Sequence, residues 1–384
     1  MKPTLLDRSF YAGDPFPALA ELRASEPVYR DDTGMWALLR HDDVVWAERH
    51  PDLLSSANGS RPRSFPQPSM IDSDDPLHKR RRGIVDRGFH PRPIAEEERR
   101  IRETTVELIG ALAAKGDCDV VRDLAGPLPM IVIGDMLGTP RENTAELQHW
   151  SDVMLSGADG PENSTQEVLE AYAAFVAMMD GIIAERKKNP GDDLISTLVR
   201  AHPDDDVLNR EEIIGEALLL LIGGNETTRN VISGGIEALL RHPDQKQKLI
   251  DDPTLIPSAV EECLRWVTPV INMARTATTD VDVRGRTIPA GDQVLLMYAS
   301  ANRDGEVFED PNTFDVARSP NPHVTFGYST HHCLGASLAR LEIKVMLEEV
   351  LQRLPNMRLA NPDAPLTRTR SSFIRGITAL PVVL

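Results

Sequence analysis

The sequence predicts a mainly α-helical protein with small β-sheets, organised as one large domain spanning residues 1–384. Three observations carry that reading. Helical periodicity fills the longest patterned stretches. Strand signals are short and confined to two regions. No linker divides the 384 residues, of which 41% are hydrophobic, enough for a sizeable core.

Taken in order, Pro27–Arg30 and Met35–Arg40 flank Asp31-Asp32-Thr33-Gly34, which predicts a β-hairpin with a glycine-containing turn. Residues 55–69 are rich in Ser, Pro, Gly and Asn and predict a long loop of the kind that forms functional lids. Ala95–Ala114 predicts a helix with Ile101, Leu108, Ile109 and Leu112 on one face and Gly116 beyond its end. Gln166–Lys188 predicts another, with a stripe of Val168, Leu169, Tyr172, Val176, Met179 and Ile183. Its basic end, Arg186-Lys187-Lys188, complements the helix dipole. Glu211–Arg241 predicts a helix on the order of 45 Å long, capped by Asn209 and followed by Pro243. Its middle, Ala217–Ile222, is apolar all round, as in a buried helix. Strand signals return at Val281–Val283 and Gln293–Tyr298 around Gly285 and Pro289-Ala290-Gly291, predicting a small sheet.

Charge excludes one class of function. Lys plus Arg (42) against Asp plus Glu (59) gives −17, unsuited to the cationic contacts that nucleic acid requires. Three cysteines, Cys118, Cys263 and Cys333, form no even disulfide framework and fit a reducing cytoplasm. Met1-Lys2-Pro3-Thr4 leads into no signal-type apolar stretch, and the run Ala217–Ile222 is too short to span a bilayer. Both point to a protein without a membrane span.

The chemistry centres on Cys333, in Phe326-Gly327-Tyr328-Ser329-Thr330-His331-His332-Cys333-Leu334-Gly335, just before the helical run Ala336–Leu351. A thiolate at a helix N-terminus is expected to have a lowered pKa and to suit metal ligation. Phe326 can pack on a flat cofactor, His331 can donate to an anionic group, and Gly335 permits close approach. Together these describe a cysteine thiolate beneath a haem iron, the ligation that favours O–O cleavage. Read alone, a single cysteine is more often a buried structural residue. A zinc site from His323, His331, His332 and Cys333 lacks the usual ligand spacing. A second unusual segment is Gly223-Gly224-Asn225-Glu226-Thr227-Thr228, which is expected to interrupt the long helix. Each glycine costs about 1 kcal/mol there relative to Ala. Thr hydroxyls compete for helix carbonyls. Read alone, it is a tolerated kink where another helix crosses closely.

The cysteine segment resembles the haem-binding loop of cytochrome P-450 monooxygenases, Phe-x-x-Gly-x-(His/Arg)-x-Cys-x-Gly. Phe326, His331, Cys333 and Gly335 fall on the pattern; Ser329 stands where the family has Gly, which puts loop geometry and redox tuning in question. About a hundred residues earlier, Gly223, Gly224, Glu226 and Thr227 resemble the family's oxygen-activating (Ala/Gly)-Gly-x-(Asp/Glu)-Thr. The resemblance runs from the first hairpin to Arg375-Gly376. It implies a P-450 fold with haem b between the long helix and the cysteine loop, Cys333 as axial iron ligand, and Thr227 and Glu226 as the catalytic hydroxyl and proton source. It further implies propionate binding by His78, Arg82, Arg275 and His331, with Phe326 and Gly335 against the ring. Glu262, Arg265 and Arg318 resemble the family's structural ion network, since a buried Glu repays desolvation only in a complete set.

The same resemblance places the substrate pocket at Met70, Ile71, Leu219, Gly223, Val270, Ile271, Met273, Phe373 and Ile374, with helix positions near Val153 and Met154. These largely apolar positions suit a lipophilic substrate. The implied reaction is hydroxylation of an unactivated C–H bond with O2, with electrons from a ferredoxin and its NAD(P)H-dependent reductase. Gly223–Asn230 together with Met70-Ile71-Asp72 looks most similar to members that hydroxylate steroid side chains of the cholesterol or cholestenone type. Tailoring of a macrolide, terpene or other secondary metabolite is the alternative; a zinc hydrolase or a non-catalytic haem sensor are more distant ones. Arg82 is expected to face haem, while Lys79 and its neighbours form a basic docking patch for an acidic electron donor.

Overall fold

The computed structural model describes residues 2–89, 91–157, 160, 163–200 and 208–384. Helices dominate, as the periodicity predicts. The hairpin is present: Val28–Arg30 pairs antiparallel with Trp36–Leu38. Asp31 builds its turn by accepting from the Thr33 and Met35 N–H groups at 2.9 and 3.0 Å. Gly34 supplies a φ of +88° that other residues rarely adopt. Trp36–Leu38 then pairs in parallel with Gln293–Leu296. That strand pairs antiparallel with Met273–Ala277, which takes Leu54–Ser55 at the sheet edge. The five-stranded sheet thus brings the beginning of the chain beside residues 273–296. Val281–Val283 and Arg286–Ile288 form a separate two-stranded ribbon, so the single small sheet predicted there is divided between two. Cys118–Asp119, Arg358–Leu359 and Pro381–Val383 make a third sheet of strands too short to register as periodicity.

Gln166–Lys188 is helical over the predicted span, and Thr165 caps it by accepting from the Val168 N–H. Its buried face is Ala171, Phe175, Met179 and Ile183, an i, i+4 row; Leu169 and Tyr172, expected in the stripe, are exposed. Pro91–Ala113 begins one turn earlier than predicted and buries Ile101, Ile109 and Leu112.

The central helix runs from Arg210 to Arg241. Asn209 and Glu212 close a capping box: the Glu212 N–H donates to Asn209 Oδ1 (3.0 Å) and the Asn209 N–H to Glu212 Oε2 (2.9 Å). The expected interruption is not there; residues 223–228 are helical throughout. What remains of it is one bond, the Thr227 hydroxyl donating to the Gly223 carbonyl at 2.8 Å. Helices Pro127–Leu137, Ile256–Val267 and Ala336–Arg353 pack against the helix, which stays hydrogen-bonded as a helix through this polar stretch. No helix among the described residues is long and apolar enough to cross a membrane.

Glu262 and Arg265, one turn apart on Ile256–Val267, are both fully buried. Arg265 donates twice to the Glu262 carboxylate at 2.7 Å, and Arg318 Nε adds a third bond at 3.1 Å. The remaining Arg265 and Arg318 protons go to the carbonyls of Asn302, Pro311, Thr313 and Glu309. Each charge is satisfied, the condition under which such a buried network is tolerated. Because Asn302 also donates to Thr325, just before the cysteine loop, the network anchors that loop's entry.

Candidate active site

A cavity of about 300 Å³ lies between the central helix and the cysteine loop. One wall is the helix face made by Leu218, Leu219, Ile222, Gly223 and Thr227. Opposite stand Phe326, Cys333 and Gly335. The Cys333 N–H closes the loop onto the Phe326 carbonyl at 2.8 Å. Two left-handed residues shape the bend: Gly327 at φ +66° and Ser329 at φ +56°. Ser329 therefore occupies a glycine conformation, and the strain expected from the departure at this position is present in the backbone.

The thiol of Cys333 has accessible surface, but that surface opens inward onto the cavity. Its environment corrects the electrostatic expectation. Burial pushes the thiol up, and the Gly335 N–H with Arg82 and Arg340 only partly offsets this. The helix starts only at Ala336, three residues on; a metal bound at this sulfur would hold it as the thiolate.

The four cationic or donor groups assemble as expected. His78, Arg82, Arg275 and His331 all line the cavity. The His78 and His331 rings lie 4.3 Å apart, and Arg82 is steadied by the Thr330 carbonyl at 3.3 Å. Arg275 is held by Glu48 (2.9 Å), a residue that sequence reasoning missed; Glu48 also accepts from the Tyr298 hydroxyl. Burial, then Arg275, His78 and Arg82, lower the His331 pKa to about 2, so it is neutral. Its Nε2 is buried without a partner. That orphan, the inward sulfur and the open space beside Gly223 and Gly335, where an added Cβ meets nothing within 4 Å, fit haem b with its propionates at the His/Arg group.

Among the described residues, no three His, Cys, Asp or Glu side chains converge on a metal-binding point. His323 turns instead to Glu261 at 3.0 Å, away from a zinc cluster with Cys333.

Of the expected pocket residues, Met70, Ile71, Leu219 and Gly223 line the cavity, as do Val270, Met273, Phe373 and Ile374. Ile271 does not. It is fully buried in the core with Leu5 and Tyr11, because successive side chains of extended backbone point opposite ways. Val153 and Met154 are likewise replaced at the wall by Leu155, one helical step on. Glu226 is fully buried and off the lining, ion-paired with Arg229 and accepting from Asn230 at 3.1 Å. Arg229 continues to Asp152 at 2.7 Å, and Asp152 is 44% exposed, so a charged chain links Glu226 to the surface. Burial raises the Glu226 pKa despite Arg229. Arg81, within the expected docking patch, is instead buried and paired with Glu212 at 2.9 Å; Lys79 is exposed.

The two glycines of the central helix differ in purpose. A Cβ on Gly224 would sit 3.1 Å from Ile133 Cγ1, so this glycine serves a close helix crossing. Gly223 faces open cavity. Two turns back, Glu216 is fully buried near Met70, and neither carboxyl oxygen completes a hydrogen bond. The nearby Met70 N–H and the Arg81 charge favour its carboxylate form, but burial outweighs both and pushes its pKa up to about 7.

Comparison with known proteins agrees with this geometry. The Cytochrome P450 family model matches residues 133–355. A Steroid C26-monooxygenase of Mycolicibacterium smegmatis is 44% identical over 382 residues, covering 99% of this chain and 95% of that protein. A Methyl-branched lipid omega-hydroxylase of Mycobacterium bovis is 42% identical over 369 residues, covering 93% and 85%. Among solved structures, CYP109E1 from Bacillus megaterium in complex with testosterone has a TM-score of 0.89 at 35% identity, covering 98% of both chains. Mycobacterium marinum CYP268A2 in complex with pseudoionone has a TM-score of 0.91 at 33% identity, covering 99% of this chain and 98% of that one. The chain thus belongs to the cytochrome P450 family, as a haem-dependent monooxygenase acting with O2 and redox partners.

Proposed function

We propose that this monooxygenase hydroxylates the terminal side-chain carbon of a steroid of the cholestenone type. The observation that carries the reading is the apolar cavity leading to Cys333, in a chain 44% identical along almost its whole length to a Steroid C26-monooxygenase. A second reading, terminal hydroxylation of a methyl-branched lipid, is favoured by the relative at 42% identity. Both place the branched end of a long hydrocarbon over the haem.

Bound haem, held through Cys333 with His78, Arg82, Arg275 and His331 at its propionates, supplies reductive activation of dioxygen. The balance is simple: one oxygen atom enters a C–H bond, the other leaves as water, and two electrons and two protons are consumed. This chain's residues position, dehydrate and deliver protons. Leu219, Val270 and Phe373 exclude water and orient the hydrocarbon. Thr227 presents its hydroxyl at the cavity wall. Glu226, whose pKa burial raises, is the group that holds and releases the proton, with Arg229 and the part-exposed Asp152 orienting it toward solvent. Electrons come singly from a ferredoxin served by an NAD(P)H-dependent reductase in the cytoplasm, with Lys79 on the helix of His78 and Arg82 as a docking contact.

The test is turnover of cholest-4-en-3-one and a methyl-branched fatty acid with ferredoxin and reductase, beside the Thr227→Ala variant. Terminal hydroxylation is expected from the wild type. In the variant, NAD(P)H oxidation persists while most reducing equivalents leave as hydrogen peroxide. Absence of hydroxylated product from both lipids refutes the substrate reading; a fully coupled variant refutes the role of Thr227.

A further inference from the structure

The cavity is apolar over most of its wall, yet one cationic side chain reaches it without any evident use. Arg61, on the lid loop, lines the cavity. The other arginines at its wall are engaged, Arg82 with the Thr330 carbonyl and Arg275 with Glu48. Among the described residues, the Arg61 guanidinium has no hydrogen bond and no ion pair. It is not part of the haem-facing group: the charges bearing on His331 are Arg275, His78 and Arg82, whereas the carboxylate bearing on Arg61 is Asp72.

Asp72 does not neutralise Arg61 by direct pairing, because its oxygens are committed to the loop. Oδ1 accepts from the Ser60 N–H (2.8 Å) and hydroxyl (2.5 Å), and Oδ2 from the Gln67 N–H (2.8 Å). The Ser60 carbonyl in turn accepts from the Ala274 N–H at 2.8 Å, tying the loop to the large sheet. Arg61 therefore projects from a pinned backbone. A second polar group on the same loop is also unsatisfied. The Ser69 hydroxyl lines the cavity, is buried, and has no partner. Ser69 sits beside Met70 and Ile71, so polar donors and apolar wall come from one segment. A half-buried guanidinium at an apolar wall that has gained no acceptor is placed to bind a ligand oxygen by a charge-assisted hydrogen bond.

We propose that Arg61, with the Ser69 hydroxyl, binds a carbonyl or carboxylate oxygen at the end of an elongated lipid remote from the carbon held near Cys333. The proposal rests on the lipid-hydroxylase reading and adds what sets the ligand's direction. One end is recognised by its oxygen, and the hydrocarbon end is thereby presented for oxidation. The oxygen is either the ring ketone of a steroid or the carboxylate of a fatty acid, and the two are separable.

The experiment is a spin-state titration of the ferric holoenzyme. The ligands are cholest-4-en-3-one, its 3-deoxy counterpart, a methyl-branched fatty acid and that acid's methyl-terminated hydrocarbon. Wild type is compared with Arg61→Met, which keeps the stem and removes the donors, and with Arg61→Lys. Arg61→Met is expected to raise Kd for an oxygenated ligand about 10- to 100-fold, the range for a hydrogen bond to a charged group. Kd for the matching hydrocarbon stays within about twofold, and Arg61→Lys falls between. Loss confined to the ketone identifies the steroid oxygen; loss confined to the acid identifies the carboxylate; either supports the proposal. Equal loss for oxygenated and hydrocarbon ligands assigns Arg61 to packing, and no loss assigns it no role; either overturns the proposal while the lipid reading stands. A wild type that responds to none of the four sinks both.

Discussion

Replacing Gly223 and Gly224 one at a time by Ala gives opposite outcomes, although the two are neighbours in one helix. Both changes gain about 1 kcal/mol of helix propensity. At Gly223 nothing opposes this, since no atom lies within 4 Å of the new Cβ. At Gly224 the methyl arrives 3.1 and 3.2 Å from Ile133 Cγ1 and Cδ1. Ile133 is 2% exposed on a packed helix and has nowhere to move. Overpacking of this kind costs about 1–3 kcal/mol. Gly223→Ala is thus expected to stabilise by about 1 kcal/mol, and Gly224→Ala to lie between neutral and about 2 kcal/mol destabilised once the propensity gain is subtracted. Urea denaturation followed by circular dichroism reads the difference as a shift of the midpoint. The Gly223 methyl enters the cavity, so the same variant should change ligand Kd in a spin-state titration while its fold is firmer. Equal destabilisation by both substitutions would refute the division of labour between these glycines.

Glu216 makes stability depend on pH. Its folded pKa, about 7, exceeds the ordinary 4.5, so the folded state holds the proton more tightly. Stability from this group is fully present below about pH 4.5, declines as pH rises to about 7, and stays lower beyond. The full cost is about 3 kcal/mol, and Glu216→Gln should recover much of it at pH 8 and flatten the profile; an unchanged profile would contradict the assignment. Glu262→Ala strips the fully buried Arg265 of its counter-charge and is expected to cost about 3–5 kcal/mol, read as a lowered denaturation midpoint and poor recovery of haem-loaded protein. A loss below about 1 kcal/mol would show that the carbonyls around Arg265 suffice without the carboxylate.

Much of this was legible in the residues because it rests on local rules. The Asn209–Glu212 capping box, the Asp31 turn and the Glu262–Arg265 pair each follow from spacing of a few positions. The cysteine loop and the Gly223–Thr228 stretch are legible for a different reason: their residue types are costly unless chemistry uses them. What escaped depends on direction. Ile271 and Val153 have the composition of a pocket wall but point elsewhere, and a neighbour in sequence can be opposite in space. Glu48, Arg61 and Glu216 carry no surrounding pattern; only the fold reveals that one holds Arg275, one stands free at the cavity, and one is buried without a hydrogen bond. The continuity of the central helix through residues 223–228 was equally hidden, since local propensity argues against it and helices packed around it favour it.

Residues 8–11 and 370–375 are stitched together beside the cavity wall. Arg375 donates to the Tyr11 carbonyl at 3.0 Å, Arg8 to the Arg370 carbonyl at 2.7 Å, and Val270 bridges Ile374. Phe373 and Ile374 are wall residues lying only about a dozen positions from the last residue of this sequence. A nascent chain cannot complete the chamber until residues 373–374 have left the ribosome, well after the central helix and the cysteine loop. Sealing the chamber therefore rests on pairings 362 and 364 positions apart, among the costliest loop closures this fold contains.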